Sequence, residues 1–304
     1  VLLVLAGYVV TRYVTGSTGP ARCTVATAGA HSEDYEVEPE QAVNAATIAA
    51  VGSRRDLPER AVTIALATAM QESSLRNIAH GDRDSLGLFQ QRPSQGWGTE
   101  RQIQDPVYAS GKFYDRLVRI PGYSRLPLTV AAQRVQLSGY PQAYAKHESN
   151  AALLTSALTG RRAAAFNCTT GRGGGDGRAG SPAQVRERLV REFGEDVLSG
   201  AKPQASASAG KGGGGSEDLR ENAVRAPAGD GEPEVRIPAD GDQRGWELAH
   251  WAVANSAELR ITQVSYGNRV WDSSSSEEGW RKQDEDGAAP GPGRTGVSVR
   301  LAAG

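Results

Sequence analysis

Along residues 41–54 (QAVNAATIAAVGSR), apolar side chains return at every third or fourth position, the spacing of one helical face. A second helix is predicted from Asp56 to about Ser74. Asp56 can cap it, Pro58 is tolerated in its first turn, and Glu59 lies three residues beyond Asp56, as in a capping box. Residues 78–99 are rich in Gly, Asp, Ser and Pro and predict a long irregular segment. Helical spacing resumes over 105–120, 128–140 and 150–158. Residues 170–180 are nearly all Gly, Arg and Thr. Ser181-Pro182 then opens an amphipathic helix over 182–198, with Val185, Leu189, Val190, Phe193 and Val197 on one side. A Gly/Ser/Ala-rich stretch over 200–216 reads as flexible linker.

Beyond it the pattern changes. Residues 235–237, 261–266, 268–271 and 296–301 read as short strands, the middle two around Gly267, with a helix over 245–259. The fold class that follows is α+β: an all-α domain, a Gly-rich linker and a small α/β C-terminal module. The expected divisions are residues 1–14, 15–34 as spacer, 35–169 as first domain, 170–216 as linker carrying the 182–198 helix, and 217–304 as C-terminal module.

Residues 1–10 (VLLVLAGYVV) form an unbroken apolar run. Crossing a bilayer takes about 20 apolar residues, so this run alone is too short. It is expected to be the tail of a truncated signal peptide or membrane anchor; a buried strand or helix is the competing reading. The net charge of -1 gives no electrostatic reason to expect nucleic-acid binding. The two cysteines, Cys23 and Cys168, suggest one disulfide in an exported chain, or else two unrelated thiols. The four histidines are scattered without metal-ligand spacing, so neither a metal nor another cofactor is expected.

Glu72 is the leading candidate for chemistry. On a helical wheel it shares a narrow stripe with Ala61 and Ala65, while Val62, Ile64, Leu66, Ala67 and Met70 fill most of the remaining circumference. A helix apolar nearly all round is buried. A carboxyl at its end is then partly desolvated, which raises its pKa into the range a glycosidase general acid needs. The competing reading is a Glu that meets water where the helix leaves the core.

The segment ALATAMQESSL (65–75), followed by Ser85-Leu86-Gly87-Leu88-Phe89-Gln90, resembles the lytic transglycosylase and goose-type lysozyme superfamily. There a helix ends in Glu-Ser and a loop then carries Gly-Leu-Met/Phe-Gln. The resemblance spans about 41–158. It implies an all-α lysozyme-like domain that cleaves the bond between N-acetylmuramic acid and N-acetylglucosamine in peptidoglycan. Glu72 matches the acid, which in transglycosylases returns as base on the 6-hydroxyl. Ser73 matches the motif Ser that supports the site, and Gln90 the Gln lining the groove; Gly87 is expected to let backbone approach sugar. Many members also carry Ala-Tyr-Asn-Ala-Gly on a later helix. Here the stretch is Ala131-Ala132-Gln133-Arg134-Val135-Gln136, with Gln133 where Tyr is expected; Tyr140 and Tyr144 are the substitutes, Tyr140 being assigned to the substrate.

A hydrolytic relative would use a second carboxylate, for which Asp82 and Asp84 are candidates; beside Gly81 they also fit a turn. Trp97, between Gly96 and Gly98, either stacks on a sugar ring or covers the core edge. With Gln95-Gly96-Trp97-Gly98, the region looks like a branch found in actinobacterial surface proteins. The C-terminal module faintly resembles a wall-associated zinc-peptidase domain whose final strand carries His-Val-His. Gly296 and Ser298 take those places here, so the module is expected to bind wall or an envelope protein without a metal. The expected partners are peptidoglycan glycan strands, the membrane through the N-terminal anchor, and an envelope protein. The location is extracytoplasmic, membrane-anchored or secreted. The alternatives are a true lysozyme and a non-catalytic wall-binding protein on the same scaffold.

Overall fold

The computed structural model describes residues 19–27, 34–137, 142–171, 177–199, 233–283 and 296–303. The apolar run 1–10 and Tyr140 lie outside them. Among the described residues no helix is long and apolar enough to cross a membrane.

The chain is mixed α+β. In order come β1 (Arg22–Val25), β2 (Tyr35–Val37), α1 (Pro39–Arg54), α2 (Glu59–Ser73), α3 (Glu100–Ile103), α4 (Pro106–Leu117), α5 (Leu128–Gln136), α6 (Glu148–Leu158), β3 (Phe166–Thr169) and α7 (Pro182–Phe193). The C-terminal module adds β4 (Glu234–Pro238), α8 (Asp242–Ala254), α9 (Ser256–Leu259), β5 (Ile261–Tyr266), β6 (Arg269–Asp272), β7 (Arg281–Lys282) and β8 (Gly296–Leu301).

The start of α2 differs from the expectation. Asp56 does not cap it. Its N–H closes on the Ser53 carbonyl and Leu57 N–H on that of Gly52, so this turn finishes α1. Asp56 adopts φ +52°, and the helix begins at Glu59 behind an extended Pro58. Helix α5 stops at Gln136, before Tyr140, because Leu137 turns left-handed. The helix expected over 245–259 starts earlier and breaks at Asn255, whose side-chain amide donates to the Trp251 carbonyl (2.8 Å).

A small sheet, in the order β2-β1-β3, flanks the helices. Each strand has three or four residues, too few for a period-two pattern to stand out. In it Cys23 faces Cys168 directly, and the two form a disulfide across 145 residues of sequence.

Helix α2 is buried on every side from Ala61 to Met70. It packs on α1, α4, α5 and α6, and α1 also carries α4, α7 and α8. The second sheet is antiparallel, β4-β8-β5-β6-β7. Its inner face (Val235, Ile237, Val264, Trp271, Val297, Val299) closes on α8. Helix α8 has two partners at once, its own sheet and the helical layer of α1 and α6, so Gly245 to Ala254 are all buried.

Polar contacts fix this junction. Trp280 Nε1 donates to the Phe166 carbonyl (2.8 Å), and Trp271 Nε1 to Asn167 Oδ1 (2.8 Å). His250 Nδ1 reaches the Ala157 carbonyl at 2.7 Å; a carbonyl only accepts, so that nitrogen carries the proton. Trp251 Nε1 donates to the buried Glu192 carboxylate (2.7 Å), which also pairs with Arg188. The C-terminal module therefore shares one continuous core with the helical region.

Candidate functional site

The site is built where α2 ends. Ser74 and Leu75 both take left-handed backbone, with φ of 54° and 59°. Two such residues in succession are costly without glycine and need outside support. Helix α1 supplies it: Gln41 Nε2 donates to the Ser74 carbonyl and Asn44 Nδ2 to that of Leu75, both at 2.8 Å. The reversal sends the chain sharply away and leaves Glu72 and Ser73 at the rim of an otherwise buried helix.

Ser73 joins the two halves of the motif. Its hydroxyl contacts the Ala69 carbonyl (3.1 Å) and the Leu88 carbonyl (2.8 Å), so the helix end is tied to the Gly87-Leu88-Phe89-Gln90 loop. That loop is itself fixed. Leu86 and Gln91 exchange backbone hydrogen bonds, and Gly87 N–H donates to the Ile78 carbonyl (2.7 Å). Phe89 stacks on Phe113 with centroids 4.7 Å apart. Backbone conformation and packing by themselves require glycine at position 87. It is buried with φ +73°, and a Cβ would lie 2.7 Å from the Ile103 carbonyl.

Three elements meet at the Glu72 carboxyl. Tyr144, fully buried ahead of α6, donates its hydroxyl to Oε1 at 2.7 Å. Gln136, the last residue of α5, also acts on the carboxyl and favours its ionised form. Its Nε2 also donates to the Phe89 carbonyl at 2.6 Å. Burial raises the Glu72 pKa, and Tyr144 and Gln136 pull it partly back. A half-buried carboxyl held by the Tyr144 hydroxyl, with its protonated form favoured by desolvation, suits proton donation to a leaving oxygen. On the adjacent residue, Gln71 Oε1 meets His147 Nε2 at 3.2 Å; burial first, and then Lys146, lower the pKa of that histidine.

The remaining candidates stand differently. Gln90 is half-buried at φ +46° and turns its amide back onto the Gly87 carbonyl (3.3 Å). Asp84 accepts from Arg92 Nε (2.7 Å) and from Ser94 N–H (2.8 Å), which together hold its carboxyl well below the usual range. It braces the loop. Asp82 is exposed, and its carbonyl accepts from Ser85 N–H, the turn-forming alternative. Trp97 is only 3% exposed, with the Arg116 guanidinium 3.4 Å from its ring centroid; that face is covered, as a core-edge residue requires.

The tyrosine brought to the acid is Tyr144, weighed from sequence only as a substitute. Gln136 was not singled out. It stands one helical turn after Gln133, at the position where α5 comes over the Phe89 carbonyl. The faint sequence signal was the spacing itself: three residues separate the two glutamines, so both lie near one side of α5.

Comparison with known proteins bears on the other end of the chain. No curated protein matches it. The family model described as VldE, C-terminal domain, matches residues 231–291, the stretch that holds β4, α8 and the β5–β6 hairpin, so it is the C-terminal module that is similar to that domain.

Proposed function

We propose that the protein cleaves peptidoglycan glycan strands as a lytic transglycosylase, with Glu72 as acid and then base. The observation that carries this reading is the Glu72 carboxyl, half-buried at a helix end and held by the Tyr144 hydroxyl at 2.7 Å. Desolvation raises the pKa of this carboxyl and so favours the protonated form that a general acid needs. The carboxylate left behind is stabilised by the Tyr144 hydroxyl and can take a proton from the sugar's 6-hydroxyl. Bond cleavage and ring closure then need no added water.

The alternative is a hydrolytic lysozyme, in which a second carboxylate holds a water. The engagement of Asp84 by Arg92 and Ser94 favours the single-carboxylate route. The disulfide supports an extracytoplasmic location, since such bonds persist in oxidising compartments. For the C-terminal module the reading is wall or envelope-protein binding, displayed from a face rigidly joined to the enzyme.

The test is incubation of the protein with purified sacculi and mass spectrometry of the released fragments. Anhydro-muropeptides are expected, and Glu72→Gln should release none while keeping the wild-type circular dichroism spectrum. Fragments with reducing ends would favour the lysozyme. Full activity in Glu72→Gln removes the site assignment, and no release by the wild type favours a non-catalytic wall binder.

A further inference from the structure

We propose that Gln41 and Asn44 on α1 are positioning residues for Glu72, acting through the left-handed reversal that ends α2. The catalytic consequence rests on the reading of Glu72 above, but the hydrogen bonds themselves are independent of any substrate.

The reversal is one that the local sequence does not favour. Ser74 N–H closes on the Met70 carbonyl (3.0 Å), and Ser74 takes the left-handed position after a helix where glycine is usual. Leu75 repeats the left-handed conformation, and its N–H closes on the Ala69 carbonyl (3.1 Å). Neither residue is glycine, and Leu75 is also buried, so its side chain must be accommodated inside the protein in this strained form.

Two amides on α1 hold the chain in that form. Gln41 and Asn44 stand three residues apart in one helix and so share a face. They donate to two consecutive carbonyls, those of Ser74 and Leu75, each at 2.8 Å. Extended backbone points consecutive carbonyls to opposite sides, so an extended chain at 74–75 would turn one of them away from α1. Asn44 is buried, and a Leu75 carbonyl that lost its amide would lose the hydrogen bond that satisfies it. Gln41 is itself fixed, since its Oε1 accepts from Glu38 N–H (2.8 Å). Arg76, the next residue along the chain, pairs with Glu38 (2.6 Å), so the same end of α1 holds the chain as it leaves the reversal.

The acid lies two residues before Ser74. Between them, Ser73 meets the Leu88 carbonyl (2.8 Å), and Glu72 itself meets the Tyr144 hydroxyl (2.7 Å). Both contacts come from the last turn of α2, whose end the reversal sets. Loss of the α1 amides should therefore displace the acid, and a displacement of about 1 Å can cost about a hundredfold in rate.

The test uses the full chain labelled with 13C at glutamate carboxyls, with the Glu72 resonance assigned by its loss in Glu72→Gln. Asn44→Leu removes the donor at similar volume. It should displace the Glu72 resonance and lower kcat on sacculi, per folded molecule, by about tenfold to a hundredfold, with KM changed less. Ser74→Gly, added to Asn44→Leu, relieves the left-handed turn without the amide and should return both readings most of the way to wild type. A loss of stability alone would move neither reading in the folded protein. A folded Asn44→Leu with the wild-type resonance, or with wild-type kcat in an active enzyme, overturns the proposal, as does a displacement that Ser74→Gly leaves in place. If the wild type cleaves no glycan, a resonance displaced by Asn44→Leu and returned by Ser74→Gly upholds the positioning and removes the enzymatic reading instead. If Asn44→Leu does not fold, Gln41→Met, at a half-buried position, is read in the same way.

Discussion

Replacing both half-cystines by alanine isolates what the Cys23–Cys168 bond contributes to the fold. The bond closes 145 residues of chain, so in the chain-entropy account its loss frees the unfolded state by about 5 kcal/mol. That is a large share of the roughly 5–15 kcal/mol by which a domain is stable. The native state should change little. Both positions are buried in paired strands, alanine leaves no unpaired polar atom, and the β1–β3 ladder persists. Arg162 still donates to the Ala26 carbonyl beyond the end of β1. The expected result is a midpoint of thermal unfolding lowered by roughly 10 °C. The urea m-value should rise, because the uncrosslinked unfolded chain exposes more surface. Stability within about 1 kcal/mol of wild type would refute the reasoning. It would mean either that β1 contributes nothing to the cooperative unit, or that the unfolded ensemble holds these ends together without the bond.

Two further predictions concern the junction with the C-terminal module. Gly160 sits at φ +70°, and an added Cβ would lie 1.8 Å from the Gln243 carbonyl, so Gly160→Ala should cost about 3 kcal/mol or more in urea unfolding. Gly177→Ala is the control, with the same φ and nothing within 4 Å, and should cost about 1 kcal/mol; equal losses would show that backbone strain alone is being measured. His250 is wholly buried, and burial pushes its pKa from 6.5 down to about 4. The folded protein thus refuses a proton that the unfolded chain accepts. This contribution is complete above about pH 6.5 and fades as pH falls towards 4, by about 3 kcal/mol in all. His250→Gln should flatten that part of the stability profile, and an unchanged acid slope would assign it to other groups.

Local physics made much of this protein legible in advance. The long helices were readable because their apolar positions repeat every three or four residues, and Gly267 marked the β5–β6 hairpin because a tight turn favours a residue free to take φ +61°. The Glu-Ser and Gly-Leu-Phe-Gln segments stood out in the sequence by resemblance to a family motif, and the Ser73 hydroxyl joins them through the Leu88 carbonyl. The small sheet was not readable, since three- and four-residue strands carry too short a pattern and β1 pairs with β3 across more than 140 residues.

Tertiary structure decided what surrounds Glu72. Tyr144 lies 72 residues away in sequence, and Gln136 at the end of α5 meets the Phe89 carbonyl from 47 residues away. It also decided that Trp97 is covered by Arg116 and that Asp84 is held by Arg92. The linker-like composition between the two parts suggested separate bodies, whereas α8 buries one side against α1 and α6 and the other against its own sheet. The physical reason is common to all of these. A sequence displays periodicity and residue chemistry over a few turns, while desolvation and hydrogen-bond partnership depend on which distant surfaces meet.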